Sequence, residues 1–319
     1  MYSQRAQRVK LQGRSLLTLA EYSREEVEYL IELAERLKKE SREGTRARRF
    51  EGLSIALLFE KRSTRTRCAF ETAFGEEGGH PVFLSNADIQ LGAKETIEDT
   101  ARVLGRMFDA IQFRGFEQKT VETLATYSGV PVYNGLTDLY HPTQALADLM
   151  TLKEEVGTLN GAKLSFVGDG RNNVANSLLI ACSLTGVNIC VSAPEELQPE
   201  DTLVKLAEQF AKSSGATVEI TTEVEDAVRD ADAIYTDVWY SMGEESKERE
   251  RRALLGPYQV NEALFARANP PVFLHCLPAV RGNEVTPGVI DGPHSRVWEE
   301  AENRKHTIKA VMLATLGRV

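Results

Sequence analysis

The chain has 319 residues, 42% hydrophobic and 27% charged, with a net charge of −9 at pH 7. That size favours two domains over one, each able to bury its own core. The acidic balance argues against nucleic acid or an anionic membrane as the main partner, while leaving room for a local basic site that grips a small anion.

No apolar run approaches the ~20 residues that span a bilayer, so no membrane partner is expected. The N-terminus, MYSQRAQRVKLQGRS, is basic but lacks the apolar core of a signal peptide. Cysteines stand at 68, 182, 190 and 276 without a C-x-x-C pair. That spacing fits neither a zinc site nor a disulfide scaffold, and a reduced, cytoplasmic protein without a metal is expected.

Residues 23–40 place Val27, Leu30, Ile31, Leu33, Ala34 and Leu37 at helical period, and Ser23 with Glu26 forms a capping box. LSIALLF (53–59) reads as a buried parallel strand, followed by a helix from about 64. Strands at 81–85, 109–114 and 130–135 alternate with helices at 96–107 and 119–128. A helix over 141–157 follows, and the rhythm restarts. Strands are expected at 162–168, 188–194, 231–239 and 271–278, helices at 173–186 and 201–215, and an amphipathic helix over 301–319. The class is therefore α/β, with two doubly wound parallel-sheet domains.

Several junctions carry chemistry. FEKRSTRTRCAFETA (59–73) puts Ser63 and Thr64 where a strand gives way to a helix. Orphan N–H groups and the positive end of the helix dipole suit phosphate there, with Arg65 and Arg67 adding donors. The competing reading is a helix cap with solvent-facing arginines, but repeated cations at a helix N-terminus oppose the dipole unless an anion is bound. Arg114 ends a strand, and open parallel sheets bind ligands beyond the carboxyl ends of strands. In HPTQ, His141 and Gln144 share a helix face and can both donate to an oxygen.

VGDGRNN (167–173) is a strand-to-helix turn with Asn173 in place of a third glycine, which disfavours a dinucleotide. Asp237 at a strand end can hold an ammonium group, and the charged stretch from Gly243 reads as a polar loop over a ligand. In HCLP, His275 and Cys276 as neighbours on a strand should face opposite sides, so Cys276 is expected to contact a ligand rather than act as a His-activated nucleophile.

STRTR, HPTQ and HCLP together resemble the aspartate/ornithine carbamoyltransferases, and DVWYSMGEE resembles the ornithine branch of that family. The resemblance runs over nearly the whole chain. It implies a carbamoyl phosphate-binding domain at 1–145, completed by a returning C-terminal helix at 305–319, and an ornithine-binding domain at 146–304, joined by two helices. By that resemblance Ser63, Thr64, Arg65 and Thr66 hold the phosphate, and Arg114, His141 and Gln144 bind the carbamoyl end. Gln90 serves a neighbouring subunit, and Arg304 completes the site. Asn173, Asp237, Ser241 and Met242 hold ornithine, and Cys276 and Leu277 lie against both substrates. It further implies Arg114, His141 and Cys276 as catalytic residues, a homotrimer, the substrates carbamoyl phosphate and L-ornithine, and no cofactor. Transfer to putrescine, N-acetylornithine or aspartate, a hydrolase using Cys276, and a non-catalytic phosphate binder are the alternatives.

Overall fold

The computed structural model describes residues 9–45, 47–88, 95–240, 246, 248–268 and 271–319. The chain divides into two compact units, Met1–Leu146 with Glu302–Val319, and Ala147–Ala301.

The first unit opens on α1 (Arg24–Arg42). The capping box forms as expected: Glu26 N–H donates to Ser23 Oγ at 3.2 Å, and Ser23 N–H to Glu26 Oε2 at 2.8 Å. The six apolar residues expected on its inner face are all buried. There follow β1 (Ser54–Phe59), α2 (Thr64–Gly75), β2 (His80–Ser85), α3 (Ile97–Met107), β3 (Ala110–Arg114), α4 (Gln118–Ser128) and β4 (Val132–Leu136). The strands are parallel, in the order β2-β1-β3-β4. Residues 55–59 of β1 are buried on both faces, which is why that strand reads as an unbroken apolar run. One face packs Ala56, Leu58, Ile111 and Phe113 against Leu104, Val121 and Leu124. Beyond β4, Leu16 donates to Val132 O and accepts from Asn134 N–H, covering the sheet edge.

α5 (Pro142–Val156) starts in the first unit and ends in the second. The second unit continues with β5 (Lys163–Val167), α6 (Asn173–Thr185), β6 (Asn188–Ser192), α7 (Asp201–Ser214), β7 (Val218–Thr221), α8 (Val224–Val228), β8 (Ala233–Tyr235), α9 (Glu248–Leu255), α10 (Glu262–Phe265), β9 (Val272–Leu274) and α11 (Pro287–Ile290). Its sheet is also parallel, ordered β7-β6-β5-β8-β9. α12 (Val297–Thr315) carries the chain back, so Glu302 to Val319 belong to the first unit. Arg304, expected in the second domain, therefore falls in the first unit.

The strand orders place the functional junctions. From β1 the first sheet grows to β2 on one side and to β3 on the other; from β5 the second grows to β6 and to β8. At such a reversal the loops leaving the two central strands part in opposite directions and open a crevice at their carboxyl ends. Two expected strands are shorter than read. β8 ends at Tyr235 and β9 at Leu274. Asp237, His275 and Cys276 therefore lie beyond the strands, where side chains no longer alternate.

Candidate active site

In the first unit Ser63 caps α2 in extended conformation, and its Oγ accepts from Thr66 N–H at 3.2 Å. That cap settles one orphan amide and leaves the rest of the helix end open. Arg65 is half-buried, and among the described residues neither it nor Arg62 has a hydrogen-bond or ion-pair partner. Arg67 behaves otherwise: its Nε pairs with Glu71 at 2.9 Å and its guanidinium lies over the Phe83 ring at 3.6 Å. The expectation that Arg67 adds a phosphate donor is thus corrected, because an i,i+4 acid and an aromatic face already hold it.

Thr66, fully buried, is the centre of the cluster. Its Oγ1 accepts from Arg114 Nη1 at 3.2 Å and from Arg304 Nη2 at 3.0 Å. Arg304 Nη1 also donates to Gln144 Oε1 at 3.0 Å. A hydroxyl has two lone pairs and one proton. With both lone pairs facing guanidiniums, the Thr66 proton is left to donate. Gly135 in β4 makes the space: a Cβ there would lie 3.0 Å from Thr66 Cγ2 and 2.4 Å from Gln112 Nε2. Sequence reading passed over this glycine, since nothing local marks it.

His141 is buried immediately before α5, and its Nδ1 lies 3.4 Å from Thr143 Oγ1. Burial, and then Arg304, Arg114 and Arg65, hold its pKa well below the ordinary imidazole range. The ring is therefore a neutral hydrogen-bond group at working pH. Arg65, Thr66, Arg114, His141, Gln144 and Arg304 come together, while Thr64 is exposed at the first turn of α2. Gln90 lies outside the described residues.

In the second unit the turn after β5 leads to Asn172, which caps α6 through Oδ1 and donates from Nδ2 to Asp237 Oδ2 at 2.7 Å. Asn173, half-buried, is the first residue of the helix. Asn172, the neighbour of the residue expected to hold ornithine, thus touches Asp237. Asp237 Oδ1 accepts from Val238 N–H at 2.8 Å and from the Cys276 thiol at 3.2 Å. Burial, with Asp237 and Glu300 nearby, pushes the Cys276 thiol well above its usual range, the opposite of what a thiolate nucleophile needs.

Leu277 takes a left-handed φ of 57°, and its N–H donates to His275 Nδ1 at 2.8 Å. A branched residue in that region is uncommon, and here a buried ring holds it. The donor atoms of Asp237, His275 and Cys276 lie within 4.8 Å of one another. This corrects the expectation that His275 and Cys276 face apart, which held only while both were read as strand. The three are nevertheless committed: Cys276 donates to Asp237, and His275 uses Nδ1 for Leu277 and Nε2 for Glu284 at 3.3 Å. Ser241 and Met242 lie outside the described residues.

Two family models match the chain: aspartate/ornithine carbamoyltransferase, carbamoyl-P binding domain, over residues 14–154, and aspartate/ornithine carbamoyltransferase, Asp/Orn binding domain, over residues 160–315. The chain is 63% identical over 308 residues to the ornithine carbamoyltransferase of Caldanaerobacter subterraneus subsp. tengcongensis, covering 96% of this chain and 98% of that one. It is 62% identical over 310 residues to that of Pseudothermotoga lettingae, covering 97% and 99%. The solved ornithine carbamoyltransferase from Pyrococcus furiosus superposes with a TM-score of 0.95 at 49% identity, over 98% of this chain and 99% of that one.

Proposed function

The chain belongs to the aspartate/ornithine carbamoyltransferase family, and on that premise we propose that it transfers the carbamoyl group of carbamoyl phosphate to the side-chain amine of L-ornithine, giving L-citrulline and phosphate. One observation carries the reading: two buried arginines from distant parts of the sequence converge on Thr66 in the first turn of α2. Cations, a hydroxyl proton and a helix N-terminus at one point suit a phosphorylated donor. On this reading the first unit holds carbamoyl phosphate through Ser63, Thr64, Arg65, Thr66, Arg114, His141, Gln144 and Arg304, with Gln90 added from a neighbouring subunit. The second unit holds ornithine through Asn173, Asp237, Ser241 and Met242, and Cys276 and Leu277 contact the substrates.

The attacking group must be a free amine, although its unperturbed pKa is near that of lysine, about 10.4. Desolvation and neighbouring cations lower that value. Attack on the carbamoyl carbon forms a C–N bond and a tetrahedral oxyanion. Arg114, the Thr66 hydroxyl and neutral His141 are its donors. The neutral imidazole carries one N–H, which on this reading is offered to that oxygen. Loss of one such donor typically costs about 10²–10³ in rate. The C–O bond to phosphate then breaks, and the leaving phosphate takes the amine's proton, so no protein base is needed. Orientation of the two substrates can supply roughly 7–11 kcal/mol more.

Citrulline assay with both substrates is the test. A hydrolase using Cys276 would form a covalent intermediate and be inactivated by alkylation, and a phosphate-binding module would turn over nothing. Putrescine lacks the α-carboxylate that the Ser241–Met242–Gly243 element is proposed to read. A homotrimer is supported by the position of Gln90 in the family pattern and is tested by sedimentation. Use in arginine biosynthesis is tested by arginine auxotrophy on deletion, and a cytoplasmic location by fractionation.

A further inference from the structure

We propose that Arg251 and Asp169 form a positioning pair that holds the amino-acid half of the site in its binding geometry. The proposal rests on the reading that the second unit binds ornithine. Arg251, in α9, donates from Nη1 to Asp169 Oδ2 at 2.9 Å, between elements 82 residues apart in sequence. The two side chains are only 16% and 14% exposed. A second ion pair of this helix, Arg252–Glu248, is local and exposed at 50% and 42%, so it contributes little.

Both oxygens of the Asp169 carboxylate are engaged. Oδ2 takes the guanidinium, and Oδ1 accepts from Arg171 N–H at 3.0 Å, which bends the turn after β5. The same turn delivers Asn172, whose Nδ2 lies 2.7 Å from Asp237 Oδ2, and Asp237 Oδ1 takes the Cys276 thiol at 3.2 Å. Polar contacts, joined through the backbone of the turn, thus link α9 to the acid proposed to hold the substrate ammonium. Without the guanidinium, Asp169 is drawn toward water and the turn loses its fixed bend. Substrate binding must then order Asn172, Asn173 and Asp237, and affinity falls by that ordering entropy. The donors of the first unit are untouched, so the effect belongs to ornithine KM and not to the carbamoyl phosphate side.

The experiment measures citrulline formation at varied concentrations of each substrate. Arg251→Gln and Asp169→Asn, which keeps Oδ1 as an acceptor, are each expected to raise ornithine KM about tenfold, as loss of a charge-assisted hydrogen bond does. The carbamoyl phosphate KM and kcat should hold within about twofold. The double variant should be no worse than the worse single, because both remove one shared interaction. Arg251→Lys should recover part of the loss, since it keeps the charge without the planar fork. An unchanged ornithine KM in Arg251→Gln, an equal rise in both KM values, or a lowered Tm alone would overturn the inference. Absence of citrulline with the unsubstituted protein would overturn the functional reading, and the inference with it.

Discussion

Arg304 Nη2 lies 3.0 Å from Thr66 Oγ1, a contact between residues 238 positions apart. The returning helix α12 therefore supplies a cation to a cluster otherwise built from α2, β3 and α5. Thr66→Val removes the shared acceptor with almost no change in shape. Two buried guanidiniums then each lose one acceptor, so stability should fall by about 1–3 kcal/mol. The carbamoyl phosphate KM should rise while the ornithine KM holds. Denaturant unfolding and two-substrate kinetics check both halves, and unaltered carbamoyl phosphate kinetics would refute the central place given to Thr66.

Arg65 invites the complementary substitution. It is half-buried and has no ion-pair partner among the described residues, so the fold does not depend on it. Arg65→Ala should leave the unfolding midpoint within about 0.5 kcal/mol of the unsubstituted protein, as surface changes usually do. Titration calorimetry with inorganic phosphate should lose its signal. Undiminished phosphate binding would remove Arg65 from the site.

Asp237 ties the second unit's site together and also sets the state of Cys276. Burial is the first cause of that thiol's raised pKa, and Asp237 the second. Asp237→Ala should therefore shift Cys276 alkylation toward lower pH while burial keeps it slower than at exposed Cys68. Ornithine KM should rise by about tenfold to a hundredfold, the range of a charged hydrogen bond, with far less effect on carbamoyl phosphate. Peptide mapping of alkylated protein separates the two cysteines. An unmoved Cys276 profile would show that Asp237 does not govern it.

The parts of this architecture that were legible in the sequence are those with local causes. Ser23 and Glu26 announce a helix start, LSIALLF a strand buried on both faces, and Ser63 a helix cap at a strand-to-helix junction. The element order followed from the alternation, but β7, with only half-buried inward residues at an edge, has no apolar run to reveal it. The site was legible as a set of junctions, and its assembly came from family resemblance. No local pattern says that Arg304 reaches Thr66, that Gly135 clears its space, or that Asn172 meets Asp237. The Arg67 reading failed because a like-charge argument at a helix end omitted Glu71 one turn along. The His275–Cys276 reading failed because strand alternation was carried past the point where the strand ends.

Glu300 gives a pH dependence with a definite sign. It is fully buried, accepts from His275 N–H at 2.9 Å through Oε2 and from Tyr235 O–H at 3.2 Å through Oε1. Burial, and then the nearby carboxyl of Asp148, push its pKa well above the ordinary carboxylate range. Below about pH 4.3 a glutamate is protonated in the folded and unfolded states alike, so its titration costs nothing. As pH rises, the unfolded state ionises first and the folded state holds the extra proton. Stability therefore falls with rising pH until the folded group also ionises. Glu300→Gln replaces the protonated acid with a neutral amide, keeps an oxygen for His275 N–H, and offers N–H to Asp148. Its advantage over the unsubstituted protein should grow in urea unfolding as pH rises above the ordinary glutamate value of about 4.3. Glu300→Ala instead leaves the buried His275 amide without its acceptor and should cost about 1–3 kcal/mol at every pH. Parallel stability profiles for the unsubstituted protein and Glu300→Gln would show that the folded state does not hold an extra proton on Glu300.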